Sequence, residues 1–297
     1  MKVLKLAAKY LNSGKKHLVR GDYQGAQADF TKAIEINPNY AEAYYNRSIA
    51  RHQLKDFQGA IADYNRAIEI NPNDVTAYYN QSNTNVVLKS YQVPVDDLTQ
   101  AVKINPSDAL TYSKRGNTRA FSGDYQGAIA DYTLSIEINP KHIEAYNNRG
   151  VIRHQLKDFQ GAIADFTSSI EINPSNAEAY YNRGNARCQL KDYQGAIADY
   201  NWAIEINPND AQAYNNRGNV RIFLGDYQKA MADFTSSIEI NPNYAQAYKN
   251  RALAYTFLEK EQLAIADFQK AAELFEKQGE TAQAQKALEL IAKIRNL

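Results

Sequence analysis

Residues 193–208 read YQGAIADYNWAIEINP, and this stretch decides the fold. Its first eight letters stand unchanged at Tyr125–Tyr132. Near-copies begin at Phe57, Phe159 and Tyr227. Within it, Tyr193, Ala196, Ile197, Tyr200, Ala203 and Ile204 recur at helical spacing, so one face of a helix is apolar. Asn207-Pro208 ends that helix, because a residue before proline avoids the α region. Asn-Pro pairs recur at Pro38, Pro72, Pro106, Pro140, Pro174, Pro208 and Pro242, always 34 residues apart, and Pro94 alone lies outside the series. A fixed period of this length marks a repeat architecture.

One full unit, Ala177–Asp210, shows what repeats. AEAYYNRGNARCQL carries Ala179, Tyr180, Gly184, the stem of Arg187 and Leu190 on one helical face. Lys191-Asp192 separates it from the helix quoted above. Each unit is therefore expected to be a helix–turn–helix. Gly184, Ala196 and Ala203 let the two backbones approach, and Tyr200 fills the space beside them. A single hairpin cannot bury its own apolar face, so the units must stack.

These residues resemble the tetratricopeptide repeat: Tyr180, Arg183-Gly184, Arg187, Ala196, Tyr200, Ala203 and Pro208 fall where that family has its signature. The resemblance implies an all-α fold, a right-handed α-solenoid superhelix. Eight units are expected, at 7–40, 41–74, 75–108, 109–142, 143–176, 177–210, 211–244 and 245–278, with a C-terminal capping helix in 279–297. Two departures recur. Arginine replaces the family's leucine at Arg47, Arg115, Arg149, Arg183, Arg217 and Arg251. It also replaces the first-helix tyrosine at Arg51, Arg119, Arg153, Arg187 and Arg221. The Asn-Arg-Gly style resembles repeats of bacterial and cyanobacterial type. The third unit departs most, with Gln81-Ser82 for Arg-Gly and Pro94 for alanine, and a late start or local distortion of its second helix is expected. The last helix presents Ala287, Leu290, Ile291, Ile294 and Leu297, either as a lid on the eighth hairpin or as a dimer contact.

Composition bounds the function. The 44% apolar content suits a packed interior, and a net charge of +1 lacks the basic excess of a phosphate-gripping protein. The lone Cys188 excludes an internal disulfide framework and any multi-cysteine metal site. No run is apolar enough for a membrane span. Six Lys/Arg precede the first acid, Asp22, so the start reads either as a plain first helix or as a membrane-surface or targeting segment.

No catalytic constellation stands out. His17, His52, His142 and His154 are never three or four apart, no glycine-rich phosphate loop occurs, and Ser168-Ser169 and Ser236-Ser237 read as small packing residues. No metal or cofactor is expected. An aspartate recurs in every unit, from Asp29 to Asp267, and with the arginines it suggests ion pairs between second and first helices; the pattern does not say which pairs with which.

First helices of the family line a concave face. On theirs, positions two, five, six, nine, twelve and thirteen point away from the packed stripe by 3.6-residue arithmetic, and the candidate contacts are taken from five, six and nine. They hold Tyr45, Tyr79 and Tyr181; Asn46, Asn80, Asn148, Asn182, Asn216 and Asn250; and Asn83, Asn117, Asn185 and Asn219. Asparagine is a poor helix former, so its repetition asks for a reason. Either these amides pair with the peptide groups of a bound chain, one about every third residue, or they bond to neighbouring repeats. The first use is similar to the asparagine ladder of the family's superhelix in a protein glycosyltransferase. The dicarboxylate clamp of chaperone-binding members is absent apart from Lys114 and Lys249. The expectation is a non-enzymatic, cytoplasmic scaffold or assembly factor, monomeric or dimeric, that captures an extended or helical protein segment. The alternative is an adaptor docked on a membrane by its basic start, as in photosynthetic-complex assembly.

Overall fold

The repeating hairpin forms because each of its ends is fixed by side chains. In a computed structural model, which describes residues 2–88, 90 and 92–295, there are seventeen helices and no strand among the described residues. First helices run from the turn after Asn-Pro and end at a left-handed residue: Gly21, Lys55, Gly123, Lys157, Lys191, Gly225 or Glu259. The next residue in six hairpins is an aspartate that caps the second helix. Asp192, for instance, accepts a hydrogen bond from Gly195 N at 3.0 Å. Second helices close on an extended asparagine before proline, as Asn207 does at φ −127°.

The chain divides into two compact units, 1–149 and 150–297. The first holds α1 (Lys2–Val19), α2 (Tyr23–Ile36), α3 (Ala41–Gln53), α4 (Phe57–Ile70), α5 (Val75–Val87), α6 (Gln92–Ile104), α7 (Ala109–Ser122), α8 (Tyr125–Ile138) and the start of α9 (Ile143–Gln155). The second holds the rest of α9, α10 (Phe159–Ile172), α11 (Ala177–Gln189), α12 (Tyr193–Ile206), α13 (Ala211–Phe223), α14 (Tyr227–Ile240), α15 (Ala245–Phe257), α16 (Glu261–Lys277) and α17 (Thr281–Arg295). From α1 to α8 and from α10 to α17 each helix packs on the next, an all-α solenoid of hairpins.

Close approach explains the small residues. A Cβ on Gly184 would stand 2.9 Å from the Tyr200 ring, so glycine there lets α11 lie against α12. Buried Ala196, Ala203 and Tyr200 complete that contact. Pro94 takes the place of such an alanine in α6. It lies in the helix's first turn, where the missing N–H costs no bond, and the helix continues through it. The described part of α6 begins at Gln92, so the expected distortion does not break it. At the other end α17 lays Ala284, Ala287, Ile291 and Ile294 on Leu274 and Phe275 of α16, as a lid. Asn296 and Leu297 lie outside the described residues.

The recurring charges form a buried clamp inside each hairpin. Arg183 grips Asp199 with Nε at 3.0 Å and Nη2 at 2.7 Å, and reaches back with Nη1 to Thr167 of the preceding hairpin at 3.0 Å. Its guanidinium lies over the Tyr180 ring. Arg187 adds a second bond to Asp199 at 2.9 Å and one to Gly195 O at 3.2 Å. Two cations thus hold one carboxylate that is 1% exposed, tying first helix, second helix and previous repeat into one register. Asp63, Asp131 and Asp233 are held the same way by Arg47 and Arg51, Arg115 and Arg119, and Arg217 and Arg221. Arg153 holds Asp165, and Arg251 holds Asp267. In the first hairpin His17 stands 3.6 Å from Asp29.

The third hairpin lacks the clamp. Gln81 and Asn85 occupy the two arginine positions. Gln81 donates only to Asn65 of the preceding hairpin, and the buried Asn85 leaves its Nδ2 without a hydrogen-bond partner. Asp97 is left with a buried Oδ2 that accepts nothing. Burial, and then the neighbouring Asp96 charge, push its carboxyl up to about 7.

Candidate partner-binding groove

The asparagines at position six mostly bond within the protein. In the first unit Asn80 Nδ2 donates to Tyr45 Oη at 2.9 Å, and Asn148 Nδ2 donates to Asn117 Oδ1 at 2.8 Å. In the second, Asn216 Nδ2 donates to both Tyr181 Oη and Asn185 Oδ1, at 3.0 and 3.1 Å. Each bond links one first helix to the previous one. The second helices join the same network: Tyr132 donates to Asn117 Oδ1 at 2.8 Å, and Tyr200 to Asn185 Oδ1 at 2.7 Å. Two of the expected contact residues need correction. Asn46 is 8% exposed and donates to its own helix at Glu42 O, and Asn250 is 5% exposed and donates to Asn215 Oδ1. Both side chains are buried and engaged within the protein, which leaves little of either amide for a second chain.

Four expected residues remain uncommitted. Tyr79, Asn83, Asn182 and Asn219 make no hydrogen bond among the described residues; Asn83 is exposed and the other three are half-buried. Asn185 accepts two bonds on Oδ1 and keeps its Nδ2.

In the second unit Asn185 and Asn219 meet an apolar wall. A groove of 460 Å³ is lined by Tyr193, Val220 and Phe223 on one side and by Asn185, Asn216 and Asn219 along its floor. Tyr193 and Phe223 stack with ring centroids 5.7 Å apart and planes within 7°. Phe223 is nonetheless 72% exposed, because its other face looks out of the stack. The same stack repeats between Tyr227 and Phe257 at 4.5 Å. These aromatics are absent from the residues expected at positions five, six and nine. The signal was present at position thirteen, where Phe121, Phe223 and Phe257 point away from the packed stripe. Cys188 and His154 also line the groove. Burial raises the thiol's pKa and lowers that of the imidazole, so both are neutral at pH 7. The first unit has a smaller groove of 260 Å³ lined by Ile49, His52, Tyr64, Asn80 and Asn83.

No group of three or more His, Cys, Asp or Glu among the described residues could hold a metal ion. No helix of the described residues is long and apolar enough to cross a membrane. What the arrangement offers is a polar floor beside an aromatic ledge, which suits a segment carrying both peptide groups and apolar side chains.

Comparison with known proteins agrees with this geometry. Tetratricopeptide repeat profiles match residues 11–75, 109–142, 143–176, 177–210, 211–244 and 245–278. A search of curated proteins returns no match. Among solved structures, a crystal structure of MamA is 28% identical with a TM-score of 0.55, covering 59% of this chain and 96% of that one. A crystal structure of YrrB is 23% identical with a TM-score of 0.55, covering 65% and 97%. MamA from Desulfovibrio magneticus RS-1 is 23% identical with a TM-score of 0.53, covering 57% and 96%. At 23% the likeness is one of fold. With repeat profiles matched along most of its length, the chain belongs to the tetratricopeptide repeat family.

Proposed function

We infer that the protein is a non-enzymatic scaffold whose second unit captures an extended segment of another protein in the groove beside Phe223. The observation that carries this reading is the stacked Tyr193–Phe223 pair, exposed beside amides that still have unused donors or acceptors. Burying one such aromatic face is worth a few kcal/mol, whereas a hydrogen bond to the amide floor adds about 1 kcal/mol and fixes orientation. The ledge therefore supplies affinity and the floor supplies register. YrrB is described as a repeat protein with an unusual peptide-binding site, and MamA has the same fold. They lend the reading a precedent in architecture.

A phage-displayed peptide library panned against the full chain tests it. Enriched peptides should lose binding when Phe223→Ser and Asn219→Ala are combined, with helicity unchanged. Benzophenone attached at Cys188, which lines the groove, should cross-link to them. Enriched peptides that bind the double variant as well as the wild type would overturn the groove assignment.

A second reading rests on α1. Residues 1–20 hold six of the chain's 34 Lys and Arg and none of its 33 acids, so the other 277 residues carry 28 cations against 33 acids. Lys5 and Lys9 are exposed beside Val3 and Leu4, which are 61% and 60% exposed where α1 begins ahead of the repeat. Lys15 is engaged by Glu42, and the Lys2 side chain lies outside the described residues. Such a helix suits an anionic lipid surface, at roughly 1 kcal/mol per lysine. Co-sedimentation with phosphatidylglycerol vesicles, lost on Lys5→Glu with Lys9→Glu, would favour this adaptor role. Equal pelleting of both proteins would end it.

A further inference from the structure

The third hairpin carries the same fold as its neighbours with an uncompensated acid inside it. Six other hairpins give the repeat's aspartate at least one arginine or histidine within 3.6 Å, and the eighth gives it Arg251 at 2.7 Å. Asp97 has neither. Gln81 replaces the arginine that forks onto the carboxylate and is turned toward Asn65, and Asn85 replaces the arginine one turn later. Two buried polar atoms, Asp97 Oδ2 and Asn85 Nδ2, remain without hydrogen bonds. The rest of the slot is intact: Tyr78 stands where Tyr180 lies under Arg183 in the sixth hairpin.

Among the described residues no other charge compensates. α5 contains no Asp, Glu, Lys, Arg or His at all, and only Tyr78 and Tyr79 titrate on it. α6 itself offers Asp96, which repels, and an exposed Lys103. The cations of α7 are engaged elsewhere: Arg115 and Arg119 by Asp131, and Lys114 by Glu144. Arg115 reaches α6 only at the Thr99 hydroxyl, 3.3 Å away.

We propose that the third hairpin is a pH-sensitive joint in the first unit, closed while Asp97 keeps its proton and opening more often once it ionises. The folded carboxyl titrates near 7, above its ordinary value of 3.8, so the folded hairpin holds a proton that the opened one releases. Its stability is therefore full below about pH 4, falls as pH rises toward 7, and levels off above that. The other hairpins set an arginine, or in the first hairpin His17, against the repeat's aspartate. α5 also supplies Asn80 and Asn83 to the groove of the first unit, so opening removes a wall of that groove.

Hydrogen exchange on the full chain tests the joint, with rates corrected for the intrinsic effect of pH. Opening of amides in 92–104 should increase at least about tenfold from pH 5.5 to pH 8, while those in 125–138 change less than about twofold. Asp97→Asn should abolish the difference. So should Gln81→Arg with Asn85→Arg, which restores the missing cations, and should either variant fail to fold, the other decides. A tenfold rise that persists in Asp97→Asn, an equal rise in both segments, or no rise in the wild type would each overturn the proposal.

Discussion

The sixth hairpin, α11–α12, and the third, α5–α6, set an aspartate at the same point of the same fold. Asp199 meets two guanidinium groups, whereas at the equivalent positions beside Asp97 stand the uncharged Gln81, turned toward Asn65, and Asn85. Burying a carboxylate costs several kcal/mol unless charge and hydrogen bonds replace the lost water. In the sixth hairpin that replacement is complete, so the acid locks two helices and the preceding repeat together. In the third the acid remains and the lock is gone. The same two-helix hairpin thus hosts a cross-link in one place and a strained joint in another. The difference lies in residues 81 and 85, not in the acid.

The same substitution should act in opposite directions at the two sites. Asp199→Asn leaves the largely buried Arg183 without its counter-charge and Arg187 with Asp192 alone, and should destabilise the second unit by about 3–5 kcal/mol, read as lost exchange protection in 177–206. A smaller effect is expected from Gly184→Val, whose side chain collides with the Tyr200 ring: about 1–3 kcal/mol, seen in urea unfolding of the same segment. Asp97→Asn should stabilise its hairpin by about 1–2 kcal/mol at pH 8, a figure reduced for partial solvent screening, and by nothing measurable at pH 4. If Asp97→Asn destabilised its hairpin as Asp199→Asn does, the contrast between the two would collapse.

The amides extend the contrast from stability to binding. Asn216→Ala removes two bonds between first helices and should cost about 1–2 kcal/mol. Asn182→Ala removes no bond among the described residues and should change stability by less than about 0.5 kcal/mol. Loss of peptide binding without loss of melting temperature, at Asn182 and Asn219 but not Asn216, would separate ligand-facing amides from structural ones. Equal melting of Asn216→Ala and wild type would show that the network contributes little.

Much of the architecture was legible in the chain. The 34-residue period, the helical spacing of Tyr200 and its neighbours, and Asn-Pro at each boundary set the hairpin and its stacking, because local sequence carries helix periodicity and breaks. The glycine opposite an aromatic was legible for the same reason: Gly184 and Tyr200 keep one fixed spacing inside one hairpin. The ion-pair reading of the Arg and Asp series was legible in kind, though the partners were not.

Partner choice needed the tertiary structure. Whether Asn216 faces a ligand or Tyr181 depends on how far apart two first helices lie, and partners 31 to 35 positions apart in sequence do not encode that distance locally. Burial likewise removed Asn46 and Asn250 from the groove, and packing placed Phe223 on Tyr193 from the next repeat. The sequence by itself determined a stack of helical hairpins, since backbone periodicity is a short-range property. Only the folded chain decided which side chains are consumed in holding that stack and which are left to meet another molecule, because hydrogen bonds and burial are settled between repeats rather than within them.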